Sequence, residues 1–469
     1  MAGMGILNVA VTGLTAANRA LTTVGHNISN VDTEGYSRQR VDIEACTPQL
    51  AGGSYLGSGV RVANTRRVFD AFATAQVRTS SSSVGYADTY YDLTQVLDNL
   101  LASSETGLTT PLQNFFNAAE DVASDPSSSS AREVMLAQGQ TLANRFHTLD
   151  QALGDLDRRV SEGIAGTVEE INTTVAAIAD LNQEILVARG RSDGAEPNDL
   201  LDQRDELLRQ LAGKIGITVI EQDDGSVNVA TGSGQSLVTG TRTATLVVLP
   251  GEDDPGRVEV GYRSGDHTAN VTRLVGGGEL GAFLTFRQEG LDEARDELGG
   301  LAKGISETFN AQHRQGYGLD GVGGRDFFLP LDAGVPARGA AGEFGVAVTD
   351  GGQIAAAGSP GASGDNENAL ALSALRSART LNGGTDTYGD AYGALVARVG
   401  TRTSQAEVNQ AAQAALLDQA SAARAAISGV NLDEEAAALM RYQQTYQACA
   451  QVIAAASLLF DTLIEAVAS

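Results

Sequence analysis

Apolar positions at the two ends of the chain repeat in alternating steps of four and three. At the C-terminal end the run is Leu439, Tyr442, Tyr446, Cys449, Ile453, Ala456, Phe460, Leu463 and Val467. At the N-terminal end it is Leu7, Ala10, Leu14, Ala17, Leu21, Val24 and Ile28. This is the heptad rhythm of a coiled-coil seam. Neither helix has enough apolar surface for a core of its own, so each needs a partner helix. The two ends of one chain are the nearest candidates. The pattern predicts an assembly domain made from both termini, with everything else carried between them.

The first helix is predicted from about Gly5 to Ile28. Asn30 and Gly35 then tolerate positive φ and can close the turn. Val41 and Ile43 alternate with Arg40, Asp42 and Glu44. Gly52-Gly53 and Gly57-Ser58-Gly59 mark turns, and Val60 and Val62 start a return strand, so a β-hairpin is expected over 37–67. Residues 68–210 read as helices, with an exposed stretch or a break at Ser80 to Ser83. Thr109-Thr110-Pro111 opens one helix, and Asp125-Pro126 with four serines makes a loop and the next N-cap. The run Leu142, Phe146, Leu149, Leu153, Leu156, Val160, Val168, Ile171, Val175, Ile178, Ile185 is one helix or two collinear ones, up to ~85 Å at 1.5 Å per residue. Ser192 to Pro197 breaks it, and Leu200 to Leu211 is a short charged helix.

At Ile215 the period changes to two. Ile215, Ile217 and Val219 alternate, Asp223-Asp224-Gly225 suits a type I′ turn, and Val227 and Val229 alternate back. Strands are expected to about Val275 and a helix from Gly281 to Gln312. Residues 316–385 are Gly-rich and β-like, with Phe344, Val346 and Val348 alternating. Helix resumes from Ala391 to Ile427 and breaks at Ser428-Gly429. A terminal helix starts at Asp433, where Glu434 and Glu435 suit the helix dipole. The fold class expected is mainly α with inserted β. Terminal helices (1–36 and 431–469) pair as a coiled coil. A long helical bundle forms a shaft (37–211, 281–315 and 386–430), and 212–280 with 316–385 form an outer β-rich domain, so the domains are discontinuous.

Composition narrows the function. The 469 residues allow roughly three units at ~150 residues each. Aromatics are 5%, Trp is absent and Gly numbers 55, which fits long Ala-rich helices better than a compact enzyme core. A formal charge of -26 repels phosphate backbones and argues against nucleic acid as a partner. No run reaches the ~18 apolar residues that span a bilayer, so no membrane partner is expected. Residues 1–18 carry no positive side chain, hence no signal-peptide n-region. Taken from residues alone, this reads as a soluble cytoplasmic chain. Cys46 and Cys449 have no metal-site spacing and no disulfide framework. Cys449 reads as a small packed residue on the seam, and the sequence leaves a bridge to Cys46 open.

Candidate chemistry is sparse. His26, His147, His267 and His313 are scattered, with no HExxH; His147 and His313 read as ordinary surface or packed residues. Gly232-Ser233-Gly234-Gln235-Ser236 lacks the Lys and the helix of a phosphate loop and reads as a turn. Asp320 to Asp326 does not hold calcium-loop spacing. Asp202, Asp205 and Glu206 with Arg204 and Arg209 read as a solvated helix face with local ion pairs. No catalytic residue, cofactor site or metal site is nominated, and no enzyme is expected.

The motifs carry a resemblance. Ala16-Ala17-Asn18 and the stretch Gly25 to Tyr36, with Asn27, Asn30, Thr33, Gly35 and Tyr36, resemble the N-terminal signature of bacterial flagellar rod, hook and hook-associated proteins. Ser428 to Ala436 around Asn431, then Tyr442-Gln443-Gln444-Thr445-Tyr446, resemble the far end of the hook-associated members. Leu200 to Asp205 and Phe309 to His313 agree. The resemblance implies a structural axial protein that joins hook to filament by ring self-assembly. It implies as partners further copies of itself, hook protein, a second hook–filament junction protein, and an export chaperone on the C-terminal helices. It also implies an extracellular flagellar location reached by type III export without a cleaved signal peptide. The terminal helices would form an inner tube, with the shaft packed around it and the β domain outside. The chain is short for such a protein, so an outermost β domain is expected to be missing or reduced. A hook or distal rod protein, or an extracellular adhesin, is the alternative; Tyr442-Gln443-Gln444 argues against hook.

Overall fold

The computed structural model describes residues 2–51, 54–103, 105–191, 195–252, 254–331 and 334–468. The side chains of Leu463 and Val467, the Gly52-Gly53 turn and residues 192–194 of the expected helix break lie outside that description.

Helix α1 (Ala2–Ser29) leads into a ribbon of β1 (Gln39–Ala45), β2 (Gln49–Ala51), β3 (Ser54–Leu56) and β4 (Val60–Arg67). β1 pairs antiparallel with β4 from Gln39↔Arg67 to Ala45↔Val60, with a bulge at Asp42/Ile43, and β2–β3 extend the tip. The ribbon lies against α1. At Gly59, φ is 92° and an added Cβ would meet Thr12 Oγ1 at 2.2 Å, so only glycine permits this approach.

α2 (Ala71–Ala102) starts at Asp70, whose carboxylate caps Ala73 N–H at 2.8 Å. It runs unbroken through Ser80–Ser83, because Ser81 faces inward and is buried. α3 (Thr109–Ser124) follows, then α4 (Ser129–Arg191), 63 residues in one uninterrupted helix. At 1.5 Å per residue α4 is ~95 Å long. Its apolar positions from Leu142 to Ile185 are all buried or nearly so, and α5 (Asn198–Lys214) packs back on it.

Two antiparallel sheets come next. One has the order β5 (Ile217–Glu221), β6 (Val227–Thr231), β7 (Ser236–Thr239), β8 (Arg242–Thr243); the other pairs β9 (Thr245–Pro250) and β11 (His267–Asn270) with a central β10 (Val258–Ser264). The β5–β6 turn is not the expected type I′. That turn needs positive φ at two central residues. Here Gly225 has φ 91°, and Asp223 and Asp224 do not share it. Gly225 N–H donates to Gln222 C=O, and Gln222 N–H to Ser226 C=O, both at 2.9 Å. The Asp224 carboxylate accepts from Ser226 N–H and Oγ. The result is a three-residue loop closed by a left-handed glycine.

α6 (Gly278–Thr285), a π-helical turn at Phe286–Leu291 and α7 (Asp292–His313) form the next continuous helical run. Residues 316–385 then depart from the β-like expectation. Among the described residues they hold isolated bridges, such as Phe328↔Val346, with a 3-10 turn at Gly351–Gln353 and two short helices, α8 (Ala337–Glu343) and α9 (Glu367–Ala374). The cause is aromatic packing. Phe327 and Phe328 lie 5.5 and 5.4 Å from the Phe115 ring, and Phe344 lies 4.7 Å from Phe146. Burying these rings against α3, α4 and α7 is worth more than a free sheet face would be. His313 secures the segment: its ring bridges Arg325 C=O at 2.8 Å and Ala355 N–H at 2.9 Å.

α10 (Tyr388–Ser428) begins before Ala391 because Thr387 and Asp390 form a capping box. α11 (Leu432–Ala468) begins before Asp433 because the Asn431 side chain caps Asp433 and Glu434 N–H. One continuous apolar core joins residues from Leu97 to Val399, including the inner faces of both sheets. No residue of α1, the ribbon or α11 belongs to it.

Candidate functional site

α1 and α11 pack on each other antiparallel. Asn27 meets Glu435 at one end, and Gly13 faces Cys449 farther along. Ala10, Ala17, Val24 and Ala456 are buried; Leu7, Leu14, Leu21, Ile28, Leu439, Tyr442, Cys449 and Ile453 are half-buried. Tyr446 and Phe460, placed on the same stripe, are exposed. At Gly13 an added Cβ would stand 2.9 Å from Cys449 Sγ. The thiol fills the notch that the glycine leaves, and both Cys449 and Cys46 are free. Sequence reading passed over Gly13; a glycine inside a heptad helix was the available signal.

The motif between Asn27 and Tyr36 makes a polar clasp at the foot of this pair. Asn27 is buried; its Nδ2 donates to Gln39 C=O and Glu435 Oε2, each at 3.0 Å. Its Oδ1 accepts from Tyr36 OH at 2.8 Å and Gln39 N–H at 2.9 Å. Glu435, 1% exposed, takes Arg38 Nε at 2.7 Å, and Arg38 Nη1 reaches Glu434. Asn30 holds Thr33 through its Oδ1 and donates to His26 C=O. Gly35 has φ 83° and passes close to Glu206, and Arg424 of α10 donates to its carbonyl at 2.9 Å. Gln443 and Gln444 are exposed and lie outside the clasp.

Helix α5 completes the clasp and corrects one expectation. Asp202 and Arg204 do not lie on a solvated face; both are buried. Asp202 accepts from Ser37 N–H at 2.9 Å and Arg67 at 3.0 Å, and Asp205 takes the same guanidinium at 2.5 Å. Arg204 donates to Gly225 C=O at 2.6 Å. Of the pairs expected on this helix, Glu206–Arg209 is the local one. Burial holds the Asp202 carboxyl above its ordinary value, with Ser37 N–H and Arg67 offsetting only part of the rise. Burial, then Asp199, Asp202 and Glu435, push the Tyr36 phenol well above its ordinary range, so it stays a neutral donor. Ion pairs and fixed donors bind the Asn27–Gln39 stretch, β4, α5, α10 and α11 together here.

The other candidates resolve as packing. His313 is buried, and burial pushes its pKa down to about 4. Asp320 accepts from Val322 N–H and pairs with Arg325 within its own loop. Among the described residues no group of three His, Cys, Asp or Glu side chains is placed to hold a metal ion. No described helix is long and apolar enough to cross a membrane.

Comparison with known proteins follows the same division. Residues 94–328 match the model of the flagellar hook-associated protein FlgK helical domain. Residues 7–36 match the flagella basal body rod protein model, and 424–466 the C-terminal model of the flagellar basal body rod FlgEFG proteins. The chain is 32% identical to flagellar hook-associated protein 1 of Escherichia coli (strain K12), over 98% of this chain and 99% of that one. It is 27% identical to flagellar hook-associated protein 1 of Bacillus subtilis (strain 168), over 98% and 97%. The E. coli alignment runs over 542 positions, more than the 469 residues here, so that relative has segments with no counterpart in this chain. The solved flagellar hook junction protein FlgK from Burkholderia pseudomallei shares the fold, with a TM-score of 0.69 at 21% identity over 75% of this chain and all of that one.

Proposed function

The chain belongs to the flagellar hook-associated protein 1 family, and from that premise we propose how it works as a structural axial protein of the hook–filament junction in the external bacterial flagellum. The terminal pair α1–α11 is the assembly element. It lines an inner tube and stacks on neighbours above and below, and the helical body packs around that tube with the β sheets outermost. Copies form a ring on the hook tip, between hook protein and a second junction protein. Before export, a cytoplasmic chaperone covers the C-terminal helices, whose exposed apolar residues are an aggregation hazard.

The observation that carries this reading is the clasp. Asn27 and Glu435, 408 residues apart in sequence, meet in one buried hydrogen bond at the foot of the terminal pair. The same clasp ties the pair to the body, through Ser37 N–H on Asp202 of α5 and Arg424 of α10 on the Gly35 carbonyl, so the pair is anchored and does not trail, as a subunit transmitting torque requires. The test is electron microscopy of a strain lacking the chain. Hooks without filaments and flagellin shed into the medium, both reversed by restoring the chain, are expected. Normal filaments in the deletion strain would overturn the assignment.

A further inference from the structure

α11 carries a second apolar stripe. Ala448, Val452, Ala455 and Leu459 repeat in steps of four, three and four, offset from the stripe against α1. Val452 joins Ile6 and Val9 of α1, Leu56 of the ribbon and Cys449 around an apolar groove of about 570 Å³. No charged side chain lines it, and Ile6, Val9, Leu56 and Val452 are exposed. Two paired helices with a further heptad stripe facing solvent are an unfinished helical bundle: the groove has the shape and chemistry for one more helix.

The same end of the molecule supplies such a helix without a home. The register that sets Asn27 against Glu435 and Gly13 against Cys449 places Ala2 level with Phe460. α11 therefore runs on past the start of α1. In this end Leu458 is 69% and Leu459 64% exposed, and Phe460 and Ile464 are exposed too. Charge selects the occupant. The chain carries -26 overall, yet neither residues 1–18 nor residues 442–460 include a charged side chain. Over most of their surface two copies repel; here the groove carries no charge and residues 457–464 carry one charged side chain, the exposed Asp461, so the like-charge cost is small.

We propose that the groove receives the overhanging end of α11, about residues 457–464, from a second copy of this chain. The contact is heterologous, groove to helix end, so it propagates from copy to copy instead of closing a pair. It rests on the junction reading for the premise that copies meet, and it assigns the surface and the segment through which they do so.

The test uses the groove's own thiol. In a full-length chain carrying Cys46→Ser and Leu459→Cys, positions 449 and 459 of one helix are ~15 Å apart, too far for a disulfide. Any bridge therefore joins two copies. The chain is placed in cells lacking the native copy, isolated hooks and filaments are oxidised with copper–phenanthroline in air, and the products are separated without reductant. A ladder of dimer, trimer and higher species is expected. Dimers alone would mean a closed symmetric pair, and filament-bearing hooks with no cross-link would mean another surface; either overturns the proposal. If the substituted chain leaves hooks bare, oxidation of the concentrated purified chain reads the same contact, its ladder or its absence deciding the question. The junction reading fails separately, when the unsubstituted chain does not put filaments on bare hooks.

Discussion

The body and the terminal pair are built on opposite terms. In the body, α3, α4, α7 and residues 316–385 bury Phe115, Phe146, Phe309, Phe327, Phe328 and Phe344 completely or nearly so. These rings find their partners within the chain. In the terminal pair the seam is made of small and half-covered residues, and Ile6, Val9, Met440, Val452, Leu458 and Leu459 face solvent. A subunit that must fold as a unit and then join others needs both regions. The body holds its own stability, and the pair keeps apolar surface in reserve. The clasp between them is polar, so position is fixed there by hydrogen-bond geometry more than by buried area.

The largest effect should come from the body. Phe328→Ala removes a ring packed on Phe115, Phe309, Phe327 and Phe344 and should cost ~3–5 kcal/mol. Calorimetry should show the main transition lowered, while hydrogen exchange in α1 and α11 stays as in the parent chain. A change confined to the terminal helices would break the division.

Acid should act on the same region. His313 is neutral in the folded chain down to about pH 4, whereas the unfolded chain protonates it near ~6.5. The unfolded state thus binds more protons between these values, and stability must fall as pH drops from 6.5 to 4, then level off from this cause. The loss from this one group should approach roughly 3 kcal/mol. Urea unfolding across that pH window checks it, with His313→Gln expected to flatten the slope.

Asn27→Ala should act on the clasp alone. It removes partners of Gln39, Tyr36 and the buried Glu435, at ~1–3 kcal/mol. Amide exchange in α1 and the start of α11 should quicken with the body's melting temperature unchanged. Smallest should be Gly13→Ala, whose Cβ would press on Cys449 Sγ at 2.9 Å for about 1 kcal/mol. Cys449→Ala should restore it, and the lack of any rescue would mean that the two helices do not meet at this register.

Much of this was legible in the sequence, for identifiable reasons. The terminal helices follow from a heptad rhythm that few other structures impose, and α4 from a long unbroken apolar period. The Gly35 turn follows from the φ that only glycine takes easily. Residues 316–385 misled because alternating Phe344, Val346 and Val348 looks the same whether it lines a sheet or lies on a helical shaft. The clasp was half legible. Asn27, Gly35 and Tyr36 stood out as a motif, but nothing near them in sequence points to Arg67, Asp202 or Glu435. Charged residues on α5 have the spacing of a solvated face, and only the third dimension brings the ribbon's Arg67 onto them.

The central claim is that the terminal pair serves assembly while the body carries stability, and Ile453→Asp tests it most directly. Ile453 lies half-buried on the α1 seam, and a carboxylate there loses part of the ~1.5–3 kcal/mol that full burial of such a side chain contributes and adds an unpaired charge. The variant should be produced normally and its body should melt like the parent chain. It should leave hooks bare in electron micrographs, while Gln451→Glu, on an exposed position of the same helix, restores filaments. Normal filaments with Ile453→Asp, or a body melting several degrees lower, would contradict the account.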